Sequence, residues 1–124
     1  MAKILFIEDE PALQKTLGNF LRERGYQMVS ALDGESGLRL VKSEHPDLVL
    51  LDLILPRLHG LEVLKAMSDD PKLRAIPAIV LTNVESSQSV EQAVELGARA
   101  YLVKTSYTLD EVLEKIKSVL SGAK

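Results

Sequence analysis

The sequence has 124 residues, 46% of them hydrophobic and 27% charged, which is the balance of one globular domain over 1–124 and not of a disordered or fibrous chain. The absence of cysteine excludes disulfides, thiolate metal sites and a thiol nucleophile. Fifteen Lys and Arg against eighteen Asp and Glu give a net charge of −3 with no basic cluster, which argues against direct binding of nucleic acid.

The chain starts with Met1-Ala2-Lys3-Ile4 and enters an apolar run at once. It has no charged leader followed by a small-residue cleavage site, so we expect no signal peptide. No apolar run approaches the ~20 residues of a membrane-spanning helix. We therefore expect a cytoplasmic protein that does not contact a membrane.

Five short runs, apolar at most or all positions, predict the strands of a parallel sheet. They span residues 4–7, 26–31, 48–51, 78–81 and 100–103, and the second is the weakest. Continuous apolarity, in contrast to alternation, is typical of strands that are covered on both faces.

Segments with helical spacing separate the strands. Apolar stripes fall at Leu13, Leu17, Phe20 and Leu21, at Val90, Ala93, Val94 and Gly97, and at Leu109, Val112, Leu113, Ile116 and Leu120. End signals agree: Pro11 and Gly25 bound the first helix, Asp33 caps the second, Gly97 ends the fourth, and Thr108 with Glu111 form a capping box for the last. The order βαβαβαβαβα predicts an α/β doubly wound (βα)5 sandwich of three layers, with the flavodoxin-like strand order 2-1-3-4-5.

Ligands of such sheets bind outside the carboxyl ends of the strands, where the strand order reverses. Glu8 and Asp9 follow the first strand, and Asp52, Thr82 and Lys104 follow the third, fourth and fifth. In the order 2-1-3-4-5 the first and third strands are neighbours. We therefore expect three carboxylates, one hydroxyl and one ammonium to converge.

Carboxylates this close repel one another unless a cation intervenes. Mg²⁺ suits the set, with Mn²⁺ as an alternative ion, because it binds carboxylates, waters and phosphate oxygens. Lys104 adds a point charge for phosphate, and Thr82 adds a hydroxyl donor. The set predicts phosphoryl transfer to a carboxylate, with Asp52 as the nucleophile at the centre of the sheet.

These segments resemble the receiver domain of bacterial two-component response regulators, in the superfamily of the chemotaxis response protein, over the whole chain. The likeness lies in Phe6-Ile7-Glu8-Asp9-Glu10, Leu50-Leu51-Asp52-Leu53-Ile54-Leu55-Pro56, Val80-Leu81-Thr82-Asn83 and Tyr101-Leu102-Val103-Lys104. The resemblance implies that Asp52 is the phosphoacceptor. It also implies that Asp9 binds Mg²⁺ directly, that the backbone carbonyl of Ile54 is a further ligand, and that Glu8 acts mostly through water.

The resemblance further implies how the phosphoryl group is sensed and where it comes from. Thr82 would hydrogen-bond it, Lys104 would pair with it, and Tyr101 would be the switch aromatic. The donor would be a phosphohistidine on a sensor histidine kinase or a histidine phosphotransfer protein. The receiver would catalyse its own phosphorylation and dephosphorylation without turning over a separate substrate. The face of the fourth helix, fifth strand and last helix would signal to a partner or output domain.

Three positions depart from the family pattern. His59 stands before Gly60 where Asp is frequent, and Asn83 follows the switch hydroxyl where a small residue is usual. Thr105 replaces the proline whose peptide bond is cis in the family. A cis bond before a residue other than proline costs ~2.5–4 kcal/mol, so the Lys104–Thr105 bond is either trans, with a different loop, or held cis by its surroundings.

Taken singly, these residues have structural interpretations: the acidic run complements a helix dipole, Asp52 caps a helix, Thr82 packs and Lys104 is solvated. Their conjunction at four strand ends favours a site. A haloacid dehalogenase phosphatase would need a second Asp where Ile54 stands, and a flavin mononucleotide carrier would need a Ser/Thr/Gly-rich first loop. A pseudo-receiver would lack the chemistry that this set preserves. We expect Asp47 to open the third strand, His59 to be a solvated loop residue, and His45 and His59 not to form a metal pair.

Overall fold

The computed structural model describes residues 2–122. Its five strands are β1 Lys3–Ile7, β2 Gln27–Ala31, β3 Leu48–Leu51, β4 Ala78–Thr82 and β5 Ala100–Val103. All neighbouring strands pair in parallel, in the order β2-β1-β3-β4-β5, which confirms the predicted sheet. The predicted bounds are correct to within one residue, and Thr82 is the last residue of β4 instead of following it.

Five helices alternate with the strands: α1 Pro11–Glu23, α2 Gly34–Glu44, α3 Gly60–Asp69, α4 Ser87–Glu95 and α5 Leu109–Leu120. They cover both faces of the sheet, as the residues of β1 demonstrate. Ile4 and Phe6 pack in a buried cluster with residues of α1 and α5. Leu5 and Ile7, pointing the other way, pack in a cluster with residues of α2, α3 and α4. Burial on both faces explains the continuous apolar runs.

The helix ends follow the local sequence signals. Pro11 begins α1, the Asp33 side chain accepts from the Ser36 amide at 2.7 Å, and Thr108 and Glu111 form the reciprocal capping box of α5. Gly97 takes a φ of 98° just after α4, a left-handed conformation that glycine adopts without strain. These predictions are confirmed.

The predicted apolar stripe of α4 was wrong at Val94, which is 58% exposed. Ala93 is the residue that α4 buries in the core. The next position of a helix lies about 100° further round, so Val94 points away from the sheet. Hydrophobic spacing alone did not separate these two neighbours.

The loop after β2 and the loop after β3 lie in close contact. The Gly34 amide donates to the Pro56 carbonyl at 3.2 Å. A Cβ atom at Gly34 would overlap the carbonyl oxygen of Leu58, so only glycine fits at the start of α2. In the part of the chain that the structure describes, no helix has the length and apolarity needed to cross a membrane.

Candidate functional site

The carboxyl ends of four strands come together at one edge of the sheet. The register pairs Ile7 with Leu51 and Leu51 with Val80, so β1, β3 and β4 end close to one another. An open cleft of about 380 Å³ lies there. It is lined by Glu8, Asp9, Glu10, Asp52, Ile54, Thr82, Asn83 and Lys104. Parallel pairing therefore brings together all the polar residues that the sequence placed at strand ends.

Three carboxylates occupy the cleft. Glu8 is fully buried, Asp52 is 5% exposed and Asp9 is exposed. One oxygen from each lies within 4.8 Å of the others. The Asp52 amide continues the sheet by donating to the Ile7 carbonyl at 3.0 Å, which fixes Asp52 next to β1. Three oxygen donors at this spacing could hold a hard divalent cation.

Lys104 lies between two of these carboxylates. Its Nζ atom is 2.7 Å from Glu8 Oε1 and 2.9 Å from Asp52 Oδ2. Among residues 2–122, Lys104 is the only cation within ion-pair distance of Glu8 or Asp52. One ammonium therefore compensates only part of the negative charge in the cleft.

Burial and the contacts among these side chains together set the pKa values of Glu8 and Lys104. Burial raises the pKa of the Glu8 carboxyl and the Asp52 charge adds to this, although Lys104 and the Glu10 amide oppose it. For Lys104, burial lowers the pKa, but the bonds to Glu8 and Asp52 outweigh it and leave the pKa above its ordinary value. The ammonium form of Lys104 is therefore favoured beside the carboxylates.

Thr82 and Tyr101 share a partner in the loop after β4. The Val84 amide donates to Thr82 Oγ1 at 3.4 Å, and the Tyr101 hydroxyl donates to the Val84 carbonyl at 2.7 Å. Burial and the Asp52 charge raise the pKa of Tyr101, which keeps this donor protonated. Because Thr82 accepts from Val84, its own hydroxyl proton can be donated into the cleft.

The loop after Asp52 is fixed by the start of α3. The Gly60 amide donates to the Leu53 carbonyl at 2.7 Å, and a Cβ at Gly60 would overlap the Asp52 carbonyl oxygen. His59 was expected to be a solvated loop residue, but it caps α3: its Nδ1 accepts from the Leu61 amide at 3.1 Å. An imidazole nitrogen here fills the role of a capping oxygen.

The peptide bond between Lys104 and Thr105 is trans, as are all the peptide bonds between described residues. The residues after β5 form a turn of 3₁₀ helix, Lys104–Ser106. Of the two alternatives for this departure from the family pattern, the structure has the trans bond. Lys104 still reaches both carboxylates from this turn.

Gln14 of α1 was not singled out from the sequence. The two hydrogens of its Nε2 atom are shared among three carbonyls, those of Phe6, Glu8 and Ala31, at 2.9, 3.1 and 3.0 Å. The available signal was its place one turn before the buried Leu17 and Gly18, where a polar residue flanks the core.

Other polar residues lie away from the cleft. Asp47 accepts from the Lys3 amide at 2.7 Å at the opposite end of the sheet. His45 ends α2 in a left-handed conformation, and it belongs to no metal-ligand group found among the described residues. The carboxylates of Glu91, Glu95, Glu111 and Glu114 lie on exposed positions of α4 and α5.

Comparison with known proteins gives one consistent result. A sequence profile of the response regulator receiver domain matches residues 4–117. Protein PilH of Pseudomonas aeruginosa is 34% identical over 124 residues, which cover 98% of this chain and 100% of PilH. The probable transcriptional regulator ycf27 of Porphyridium aerugineum is 38% identical over 118 residues, 95% of this chain but only 48% of that protein. A CheY-like receiver domain protein of Methanospirillum hungatei superposes with a TM-score of 0.91 at 29% identity, covering 98% of this chain and 95% of that one.

Proposed function

This chain belongs to the response regulator receiver domain family, a signalling family and not one of metabolic enzymes, and from that premise we propose that it accepts a phosphoryl group on Asp52 in the cytoplasm. The donor is the phosphohistidine of a sensor histidine kinase or a histidine phosphotransfer protein. The observation that carries the proposal is the geometry around Asp52. Its carboxylate opens into the cleft between the Lys104 ammonium and the acidic residues after β1.

The reaction is a displacement at phosphorus. A carboxylate oxygen of Asp52 forms the new O–P bond, the donor's N–P bond breaks, and its electron pair stays on the imidazole nitrogen. Lys104, already 2.9 Å from Asp52 Oδ2, pairs with the transferred group. The Thr82 hydroxyl donates to a phosphoryl oxygen. Hydrolysis of the acyl phosphate at the same site later restores the free carboxylate.

The residues present fit Mg²⁺, or Mn²⁺ in its place. The donor set is made of three carboxylate oxygens, and the one ammonium near them, Lys104, offsets only part of their negative charge. In this proposal Asp9, Asp52 and the backbone carbonyl of Ile54 hold the ion, and Glu8 acts through water. When bound, the ion supplies positive charge that offsets the negative charge of the phosphoryl oxygens.

The signal passes through Val84, which both switch residues contact. When Thr82 turns toward the phosphoryl group, it loses the Val84 amide, and the loop that Tyr101 holds is freed to move. Tyr101 then occupies the space that Thr82 leaves, and the face of α4, β5 and α5 changes its affinity for a partner or output domain. Phosphorylation shifts this equilibrium only by favouring one of the two arrangements over the other.

Incubation with a small-molecule phosphodonor and Mg²⁺, followed by intact-protein mass spectrometry, tests the acceptor. We expect one phosphoryl adduct on the wild-type protein and none on Asp52→Asn. The matched control is Asp47→Asn, at the other end of the sheet, which should label like wild type. An adduct that persists in Asp52→Asn would contradict the assignment, and unmoved Thr82 and Tyr101 in the phosphorylated state would contradict the switch.

A further inference from the structure

The side-chain amide of Gln14, a partly buried residue, contacts the main chain at the start of the loop that carries Glu8 and Asp9. Its Nε2 atom lies within 2.9–3.1 Å of three main-chain carbonyls, from Phe6, Glu8 and Ala31. Phe6 belongs to β1, Ala31 ends β2, and Glu8 begins the loop. One amide group therefore joins the ends of two strands to the start of the cleft.

This amide fixes the main chain on which Asp9 stands. The Glu8 amide donates to the Ala31 carbonyl at 3.0 Å, and the Glu8 carbonyl accepts from Gln14 at 3.1 Å. The peptide groups on both sides of Glu8 are thus tied to fixed elements. The Asp9 side chain makes no hydrogen bond or ion pair with any residue between 2 and 122, so its direction depends on the main chain.

The Gln14 amide has only one workable orientation. Its Oε1 atom is buried and has no hydrogen-bond partner within the described residues. A reversed amide would put that oxygen against three carbonyl oxygens and lose every bond.

We propose that Gln14 is a positioning residue for the divalent-cation site: by holding the Glu8 carbonyl, its amide sets the placement of the Glu8 and Asp9 carboxylates. It touches neither the ion nor the phosphoryl group, and it acts through the main chain of residues 8 and 9. The inference rests on the proposed function, since it assumes that this cleft binds the ion.

The test measures Mn²⁺ affinity by electron paramagnetic resonance of the free ion, without any phosphodonor. Gln14→Met removes the amide donors at nearly constant length and is expected to weaken Mn²⁺ binding ~10-fold, the usual scale for groups that support a ligand from behind. Gln14→Asn keeps an amide that is one methylene too short, and it should weaken binding in the same direction. Thr16→Val, an exposed neutral change on the same helix, should leave the affinity unchanged.

Urea unfolding in a chelator shows which variants are folded under the conditions of the titration. Unchanged Mn²⁺ affinity in folded Gln14→Met would overturn the inference while leaving the proposed function intact. Equal Mn²⁺ affinities in wild type and Asp9→Asn would overturn the metal part of the proposed function and this inference with it. Loss of the fold in both Gln14 variants would also overturn the inference, because it would assign Gln14 to folding.

Discussion

The two ends of the sheet each set a lysine against acidic residues, with opposite outcomes. At the amino end, Lys3 Nζ lies 3.2 Å from Glu44 Oε1, with side chains 25% and 38% exposed. At the carboxyl end, Lys104 contacts Glu8 and Asp52, with side-chain exposures of 15%, 0% and 7%. The first contact joins one ammonium to one carboxylate, and both side chains are partly exposed. The second group is buried and holds two carboxylates for one ammonium.

The comparison separates a partly exposed ion pair from a buried charged group that a ligand would complete. A half-exposed pair adds little stability, because water screens it and two side chains lose freedom. A buried group with surplus negative charge opposes folding. Such an arrangement persists where a cation or a transferred group completes it.

The largest expected effect is a loss of Mn²⁺ affinity that follows from a change at the carboxyl end of the sheet and not from one at the amino end. Asp9→Asn removes an exposed carboxylate that we assign to the ion, so Mn²⁺ affinity should fall by at least ~10-fold, with phosphorylation slowed in parallel. Glu44→Gln, at the amino end, should bind Mn²⁺ like wild type. Mn²⁺ titration of both variants, with phosphodonor labelling before and after chelation, compares the two ends of the sheet. Equal Mn²⁺ affinities in the two variants would contradict the expected difference.

A smaller effect is expected on stability. Lys104→Met leaves two buried carboxylates without their ammonium and should lower the free energy of unfolding in a chelator by about 2 kcal/mol, less than for an enclosed pair because the cleft is open. Lys3→Met should cost below about 1 kcal/mol, since its partners are half-exposed. Urea unfolding compares the two.

Mg²⁺ sharpens the same measurement. It should restore more stability to Lys104→Met than to wild type, because the ion then replaces the missing positive charge. If Lys3→Met proved the more destabilised variant, the distinction between the two ends would fail.

The smallest expected effect is a pH dependence that arises from Glu8. Because its pKa is raised above the usual 4.5, the folded state binds this proton more tightly than the unfolded state. Its stabilisation is thus present below 4.5 and is lost as the pH rises through the folded pKa.

Urea unfolding across this range without metal compares wild type with Glu8→Gln. The free energy of unfolding of wild type minus that of the variant should decline as the pH rises above 4.5. The exposed Glu114→Gln serves as a control for the loss of a carboxylate. A difference that grows with pH would contradict the raised pKa.

The fold was predictable because burial of strands and helix faces produces recognisable patterns of apolar residues in the sequence. Strands covered on both faces are apolar at successive positions, and caps such as Asp33 and Thr108 mark helix starts by local chemistry. The convergence of Glu8, Asp52, Thr82 and Lys104 at one edge followed from parallel pairing and the predicted strand order. Their proposed roles came from the chemistry of that set and from the family resemblance.

What was missed depends on atoms that only the folded chain brings together. The Gln14 amide meets carbonyls from two strands, and no local pattern encodes such a contact. His59 caps α3 through Nδ1, although histidine is not a usual capping residue. The exposure of Val94 depends on how α4 rests on the sheet. The Lys104–Thr105 bond was left open between cis and trans, and the structure has the trans bond.

The close approach of Gly34 to Leu58 leaves no room for a side chain between α2 and the loop after β3. The backbone of α2 occupies the volume on one side of that loop, and Gly60 closes the space behind the Asp52 carbonyl. A methyl group at either glycine would push against the main chain that follows β3. Alanine at position 34 or 60 is therefore expected to displace the segment that carries Asp52 and Ile54, although neither glycine lines the cleft.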